Sequence, residues 1–240
     1  DYPLSNSLCL GNQDLGVRFI YGYNNQQPSK QDFKLFKKFP FREAAVHMLE
    51  RNAQSLQEEQ FQFLQQLPFK QMFKHDQLTL YFTHGTPSVR KQQNVGKYVY
   101  PPPIQNPQVT IDRLKYDKKA EAANIVAVGH THQRFLITRD TFFSWSLIDD
   151  IYEKRQTKFP LKFSFTENRI IFNPGSVGQP RDGTGNASFV ILDIGNETIE
   201  FYDLEYPMEI FYRLTEEYCV PDVQDASFWS NKFGHFSNGA

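Results

Sequence analysis

Apolar residues in this chain come in short dense runs separated by polar punctuation, with few long regular stripes. Ile125-Val126-Ala127-Val128 is the clearest: its β-branched, wholly apolar character predicts a strand buried on both faces. Similar runs predict strands at Phe69 to Phe73 and Leu78 to Thr83, joined by a turn around His75-Asp76. Others fall at Arg169 to Phe172, and at Ser188 to Asp193 and Thr198 to Leu204 with a turn at Gly195-Asn196. Leu8-Cys9-Leu10 reads as the tail of one more buried strand. Helical spacing appears from Phe41 to Arg51, with Ala44, Ala45, Met48 and Leu49 inward and His47 on the surface. A second helix begins at a Ser55/Glu58 capping box, buries Leu56, Phe63, Leu64 and Leu67, and stops at Pro68. Further helices are expected at Asp112 to Ala123 and Pro207 to Tyr218.

Two stretches fit neither pattern cleanly. Phe33 to Arg42 interleaves Lys34, Lys37, Lys38 and Arg42 with phenylalanines; a solvated helix face is the better reading than a basic recognition surface. Arg139 to Glu167 carries an aromatic cluster, Phe142, Phe143, Trp145 and Tyr152 among them, on a short helix or hairpin. Such a cluster is more often packed than used as a lid or subunit contact.

Composition narrows the class. The 240 residues are 40% hydrophobic with a net charge of −1, enough for one domain with a sizeable core and too little positive charge for phosphate-neutralising nucleic-acid binding. No apolar run reaches the length of a membrane span, and no signal segment opens the chain. Cys9 and Cys219 lie far apart and read as free thiols, which points to a cytoplasmic setting. The chain starts at Asp1, and its methionines are Met48, Met72 and Met208, so it is expected to be the remainder of a longer one.

The chemistry gathers at strand ends. Gly129-His130-Thr131-His132 follows the central strand, so two imidazoles can aim into the crevice where open α/β sheets hold ligands. Thr83-His84-Gly85-Thr86-Pro87 and Gly11-Asn12-Gln13-Asp14 repeat the arrangement of apolar run, ligand-type residue and glycine. Neutral imidazole suits Zn, Mn, Fe or Ni. If the strands are neighbours, their carboxyl ends bring together three imidazoles and an amide oxygen.

With these motifs and with Asn173-Pro174-Gly175-Ser176-Val177-Gly178-Gln179-Pro180-Arg181-Asp182-Gly183, the sequence resembles the calcineurin-like metallophosphoesterases, within them the small prokaryotic phosphodiesterase branch. The resemblance runs from about Leu8 to the C-terminal helices and implies an α/β fold, a two-sheet β sandwich flanked by helices. It implies a single domain over residues 1–240, the C-terminal portion of the family domain, with an insertion at about 139–168. It also implies two divalent metals, manganese foremost, that activate water and neutralise charge on a phosphoryl group. By position, Asn12, His84 and His130 resemble ligands of the second metal, and His132 a ligand of the first. Asn173 to Gly183 resembles a structural turn behind the site, with Arg181 a candidate phosphate contact.

The departures are informative. Neither the family's Asp-x-His pair nor its Gly-Asp pair occurs in the chain, and Gln13 stands where the family's catalytic histidine is expected. Glutamine can donate a hydrogen bond but cannot deliver a proton. Without a bridging carboxylate two cations repel, so at most one metal is expected. Three readings follow: a phosphoesterase acting on a phosphate-ester substrate, impaired in this chain alone; a degenerate relative that binds without turnover; and a structural subunit. Missing strands would leave an exposed sheet edge, so a homo-oligomer or a covering partner chain is expected.

Overall fold

The structure, a computed structural model, describes residues 8–25, 29, 32, 43–85, 111–112, 117–138, 141–144, 161–178, 180–205, 209 and 213. Nine strands form two sheets among them. In chain order these are β1 (Lys70–His75), β2 (Leu78–Thr83), β3 (Ile125–Val128), β4 (Phe135–Thr138) and β5 (Thr141–Ser144). They continue with β6 (Leu161–Lys162), β7 (Ile170–Asn173), β8 (Ala187–Asp193) and β9 (Thr198–Leu204). The larger sheet runs β1-β2-β3-β7-β4-β5 and the smaller β6-β9-β8. Strands β2, β3 and β7 are mutually parallel, so Thr83, Val128 and Asn173 finish at one sheet edge.

Alternation along these strands builds two cores, because successive side chains leave on opposite faces. Leu80, Ile125, Ile170 and Phe172 meet Phe165, Ile199 and Phe201, and this layer joins the two sheets face to face. Tyr81, Val126, Val128 and Ile171 point the other way, with Ala120 and Ala123. The fold is therefore the α/β two-sheet sandwich that the family likeness implied. β5 returns antiparallel on β4, a hairpin that uses Phe142 and Phe143 of the aromatic stretch. Trp145 to Tyr152, Phe33 to Arg42 and nearly all of the expected Pro207 to Tyr218 helix lie outside the described residues.

Among the described residues the helices are α1 (Asn12–Asn24), α2 (Glu43–Ser55), α3 (Glu58–Gln66) and α4 (Lys118–Ala122). α1 is the main departure from the sequence reading. Leu8-Cys9-Leu10 does not end a strand; Leu10 donates one backbone hydrogen bond to Pro68 and the chain turns at Gly11 directly into α1. Residues 15–20 are all buried, so the segment has no polar face to betray a helical period. Gly16 brings α1 close to α2, where an added Cβ would sit 2.6 Å from Leu49 Cδ1. Arg18 is satisfied inside this helix by Asp32, at 2.6 and 2.8 Å, and by the Leu64 carbonyl at 3.1 Å.

Smaller corrections concern α2 and α3. Met48 is 38% exposed, while Leu49 and Ala53 face inward. Ser55 finishes α2, its hydroxyl donating to the Arg51 carbonyl, and Gln57 precedes α3 with the Gln60 side chain accepting from its N–H. The following helix is therefore rotated from the expected one: Phe61 is buried against Tyr21 and Phe63 is exposed. His47 lies on the surface beside Glu50.

Asp117 fastens the buried face of β2. It caps α4 by accepting from the Lys119 and Ala120 N–H groups, and it accepts from Lys70 Nζ at 2.6 Å and Tyr81 Oη at 2.8 Å. Burial works to raise its carboxyl pKa, but the hydrogen bonds from Lys70 and Tyr81, with the Lys70 charge, hold it below the ordinary value. Asp117→Ala should cost about 2–4 kcal/mol, combining a lost cap with an unsatisfied Tyr81 hydroxyl. Because the folded pKa is depressed, this stabilisation is present above the unfolded carboxylate pKa and disappears as pH falls through the folded value. Urea unfolding of wild type and Asp117→Asn at neutral and acid pH should show the gap between them closing in acid.

Candidate functional site

The carboxyl ends of β2 and β3 continue together past the regular sheet. Gly129 N–H donates to the His84 carbonyl at 2.9 Å, which lays the His84 and His130 backbones side by side. Thr131 N–H then returns to the Gly129 carbonyl at 2.8 Å, closing a three-residue turn on His130 with φ +68°. This positive-φ form is the rare, strained version of such a turn. His132 also has φ +58°, so both histidines occupy backbone that side chains seldom adopt.

Asn173, at the end of β7, holds this conformation. Its side chain is fully buried. Nδ2 donates to the Gly129 carbonyl at 3.0 Å and to Thr131 Oγ1 at 2.9 Å, while Oδ1 accepts from Gly175 N–H at 2.9 Å. Gly175 has φ +91°, and an added Cβ would lie 2.0 Å from Ser188 Oγ and 2.6 Å from Arg134 Cγ. Behind it, fully buried Arg134 reaches Asp182 at 2.6 Å and also pairs with Asp203 of β9. Arg181 N–H donates to the His132 carbonyl at 3.1 Å, so the 173–186 loop closes back onto the histidine turn.

The turn brings two imidazoles into contact. His84 Nε2 and His130 Nδ1 are 3.3 Å apart, with the rings at 71°. Nitrogens that are each about 2.0–2.1 Å from one tetrahedral cation stand about 3.3 Å apart, so the spacing fits two ligands of a single ion. Without a cation the same spacing is a hydrogen bond between a protonated and an unprotonated ring nitrogen. Burial lowers the His84 pKa, with Asp14 opposing. Burial, then the neighbouring charges of His84, His132 and Arg181, lowers that of His130 to about 3. Both rings are therefore neutral at pH 7, the form that ligates.

His132 and Arg181 lie near enough to act electrostatically on His130. Among the described residues, no three His, Cys, Asp or Glu side chains converge tightly enough to hold an ion. Asn12 opens α1, its side chain lying outside the described part, and Gln13 is exposed in the first turn of that helix. Asp14 was not singled out from the sequence. Its Oδ2 accepts from Gly11 N–H at 2.9 Å, and a Cβ on Gly11 would meet both Asp14 Oδ2 and the His84 ring at 3.1 Å. It places a carboxylate beside the imidazole pair. The signal available was its position three residues after Gly11, where a side chain can reach back to a free helix N–H.

Asn173→Ala removes three hydrogen bonds from a fully buried position. It should cost about 2–4 kcal/mol in urea unfolding, because buried partners are left unsatisfied. It should also separate the histidines, which NMR of the ring protons would report.

A family model for the calcineurin-like phosphoesterase superfamily domain matches residues 7–197. The chain is 25% identical over 215 residues to the uncharacterized protein MJ0912 of Methanocaldococcus jannaschii, across 89% of this chain and 70% of that protein. A crystal structure of a metallophosphoesterase from Sphaerobacter thermophilus is similar with TM-score 0.56 and 23% identity, covering 87% of this chain and 70% of that one. The hypothetical protein PH1004 from Pyrococcus horikoshii OT3 is similar with TM-score 0.53 and 16% identity, covering 89% and 69%. These structural likenesses carry the fold. The family match spans most of the sequence and includes the histidine turn and the Asn173 to Gly183 loop: the chain belongs to the calcineurin-like phosphoesterase superfamily.

Proposed function

We propose that the histidine edge is a divalent-metal site serving phosphate-ester hydrolysis, with a phosphodiester as substrate and manganese as the metal, in a cytoplasmic protein. The observation that carries the reading is the 3.3 Å approach of His84 Nε2 to His130 Nδ1 at the carboxyl ends of two parallel strands. Family membership supports it, since these proteins generally bind divalent metals. A bound cation would supply charge stabilisation for a phosphoryl group and a more acidic water. His84 and His130 would hold it, with His132 and Asn12 as additional donors. Arg181 would steady a phosphate oxygen from beside His132, and the exposed Gln13 would offer a hydrogen bond to the ester.

A second reading is favoured by two specific features. Gln13 has no proton to give a leaving group, and the chain lacks the Asp-x-His and Gly-Asp pairs. On this reading the chain by itself holds at most one cation and turns over little, acting as a binding or structural subunit. A degenerate relative that binds at the histidines would share the metal with the first reading and differ from it in turnover. A homo-oligomer or partner chain covering the sheet is a further proposal.

Calorimetric titration of Mn²⁺ and Zn²⁺ should show one cation per chain, lost in His130→Ala. Equal affinity in the two proteins would remove the metal assignment. Hydrolysis of p-nitrophenyl phosphodiesters with Mn²⁺ then separates the readings, because that leaving group needs little protonation. Turnover abolished by His130→Ala supports an enzyme, and binding without turnover supports the degenerate reading. A general acid typically contributes ~10²–10⁴-fold in rate. Gln13→His should nonetheless restore nothing measurable here, since the missing carboxylates limit first. A large gain from that single change would overturn this ranking of the two defects.

A further inference from the structure

At the opposite end of the same strands lies a cavity of about 330 Å³. It sits where β3 and β7 begin and β4 ends, roughly 13 Å from the histidines along a four-residue strand. Ile111, Ala123, Ile137 and Ile171 give it apolar walls, and Arg169 and Glu167 stand among its polar groups.

Arg169 is the unusual member. Its Nη2 donates to the Ala120 carbonyl. Its Nε is buried without a hydrogen-bond partner, and among the described residues no carboxylate forms an ion pair with it. Half-buried guanidinium groups are ordinarily matched by an anion, because desolvating a cation without one is costly. Desolvation has lowered its pKa, with only the Coulombic pull of Glu121 opposing. Of the neighbouring amides, Asn124 Nδ2 gives one proton to the Phe165 carbonyl and Asn168 Nδ2 gives one to the Ser164 carbonyl, and neither carries a charge. Among the described residues that line the cavity, Arg169 is the one cation.

We propose that this cavity binds a small monocarboxylate whose carboxylate pairs with Arg169 and whose apolar body lies against Ile137 and Ile171. One guanidinium neutralises one negative charge, and Glu167 at the same cavity opposes a second, which disfavours dianions such as phosphate monoesters. Four apolar walls favour a short aliphatic or aromatic body over a bare inorganic ion. The site shares no residue with the histidine edge, so it stands whether or not the chain hydrolyses esters.

Hexanoate, hexanol and inorganic phosphate serve as probes, titrated into the full chain and followed by calorimetry. Hexanoate should bind saturably, and hexanol and phosphate should not. Arg169→Gln should weaken hexanoate about tenfold or more, the loss of a charge-assisted pair. Glu167→Gln should strengthen it about two- to fivefold by removing a like charge. If Arg169 serves only to hold the Ala120 carbonyl, Glu167→Gln changes nothing and hexanol binds as well as hexanoate. Either of those results, or equal hexanoate affinity in Arg169→Gln, or no saturable binding by the wild type, overturns the proposal. Should Arg169→Gln fail to fold, the Glu167→Gln and hexanol comparisons still decide it.

Discussion

One buried amide sets the geometry on which the histidine edge depends. Asn173 uses both amide protons and its carbonyl on three backbone or side-chain partners, and those partners belong to the two turns that flank the site. His130 and His132 both carry positive φ. Each such residue costs on the order of 1–3 kcal/mol and persists only where its surroundings over-determine it. A fully buried side chain with no other hydrogen-bonding outlet is well suited to impose that conformation. The strain has a use: the sharp turn on His130 carries its ring back toward His84, whereas an extended continuation of β3 would project it forward, away from the pair.

Electrostatics at this edge are unusually spare. Two neutral imidazoles face each other, Arg181 adds positive charge on the His130 side, and Asp14 adds negative charge on the His84 side. The polarity across the pair is therefore set by the first turn of α1 and by the loop after β7, which are distant in sequence. On the proposed metal reading, a cation would be drawn toward the Asp14 flank and a phosphoryl oxygen toward Arg181.

Strands β2, β3 and β7 were legible because each is a short, dense apolar run, and burial on both faces leaves no other use for such residues. The same property hid α1: with residues 15–20 buried all round, its sequence has neither a stripe nor an alternation. Its glycine at position 16 argues against a helix by propensity, yet serves close approach to Leu49. Phe61 and not Phe63 is the buried aromatic of α3 because α1 packs on that face of the helix, with Tyr21 against the Phe61 ring. At the site, His84 and His130 were visible as ligand-type residues just past apolar runs. Their mutual approach was not, because it depends on the left-handed turn that Asn173 imposes from a distant strand. Asp14 and Arg134 escaped for a related reason: charged residues declare a buried role only when the partners that neutralise them are in view.

Arg134 joins parts that the topology keeps separate. It leaves the larger sheet just before β4, crosses beneath Gly175, and pairs with Asp182 in the loop and Asp203 on β9 of the smaller sheet. Ser176 and Ser188 add backbone and side-chain bonds between the same loop and β8. The loop therefore cannot lift away from the histidines without also disturbing the hairpin of the second sheet. Its amides and those of β8 and β9 should therefore share one opening free energy in hydrogen exchange. The precision of the histidine edge is thus underwritten by the stability of a sheet that supplies it no ligand.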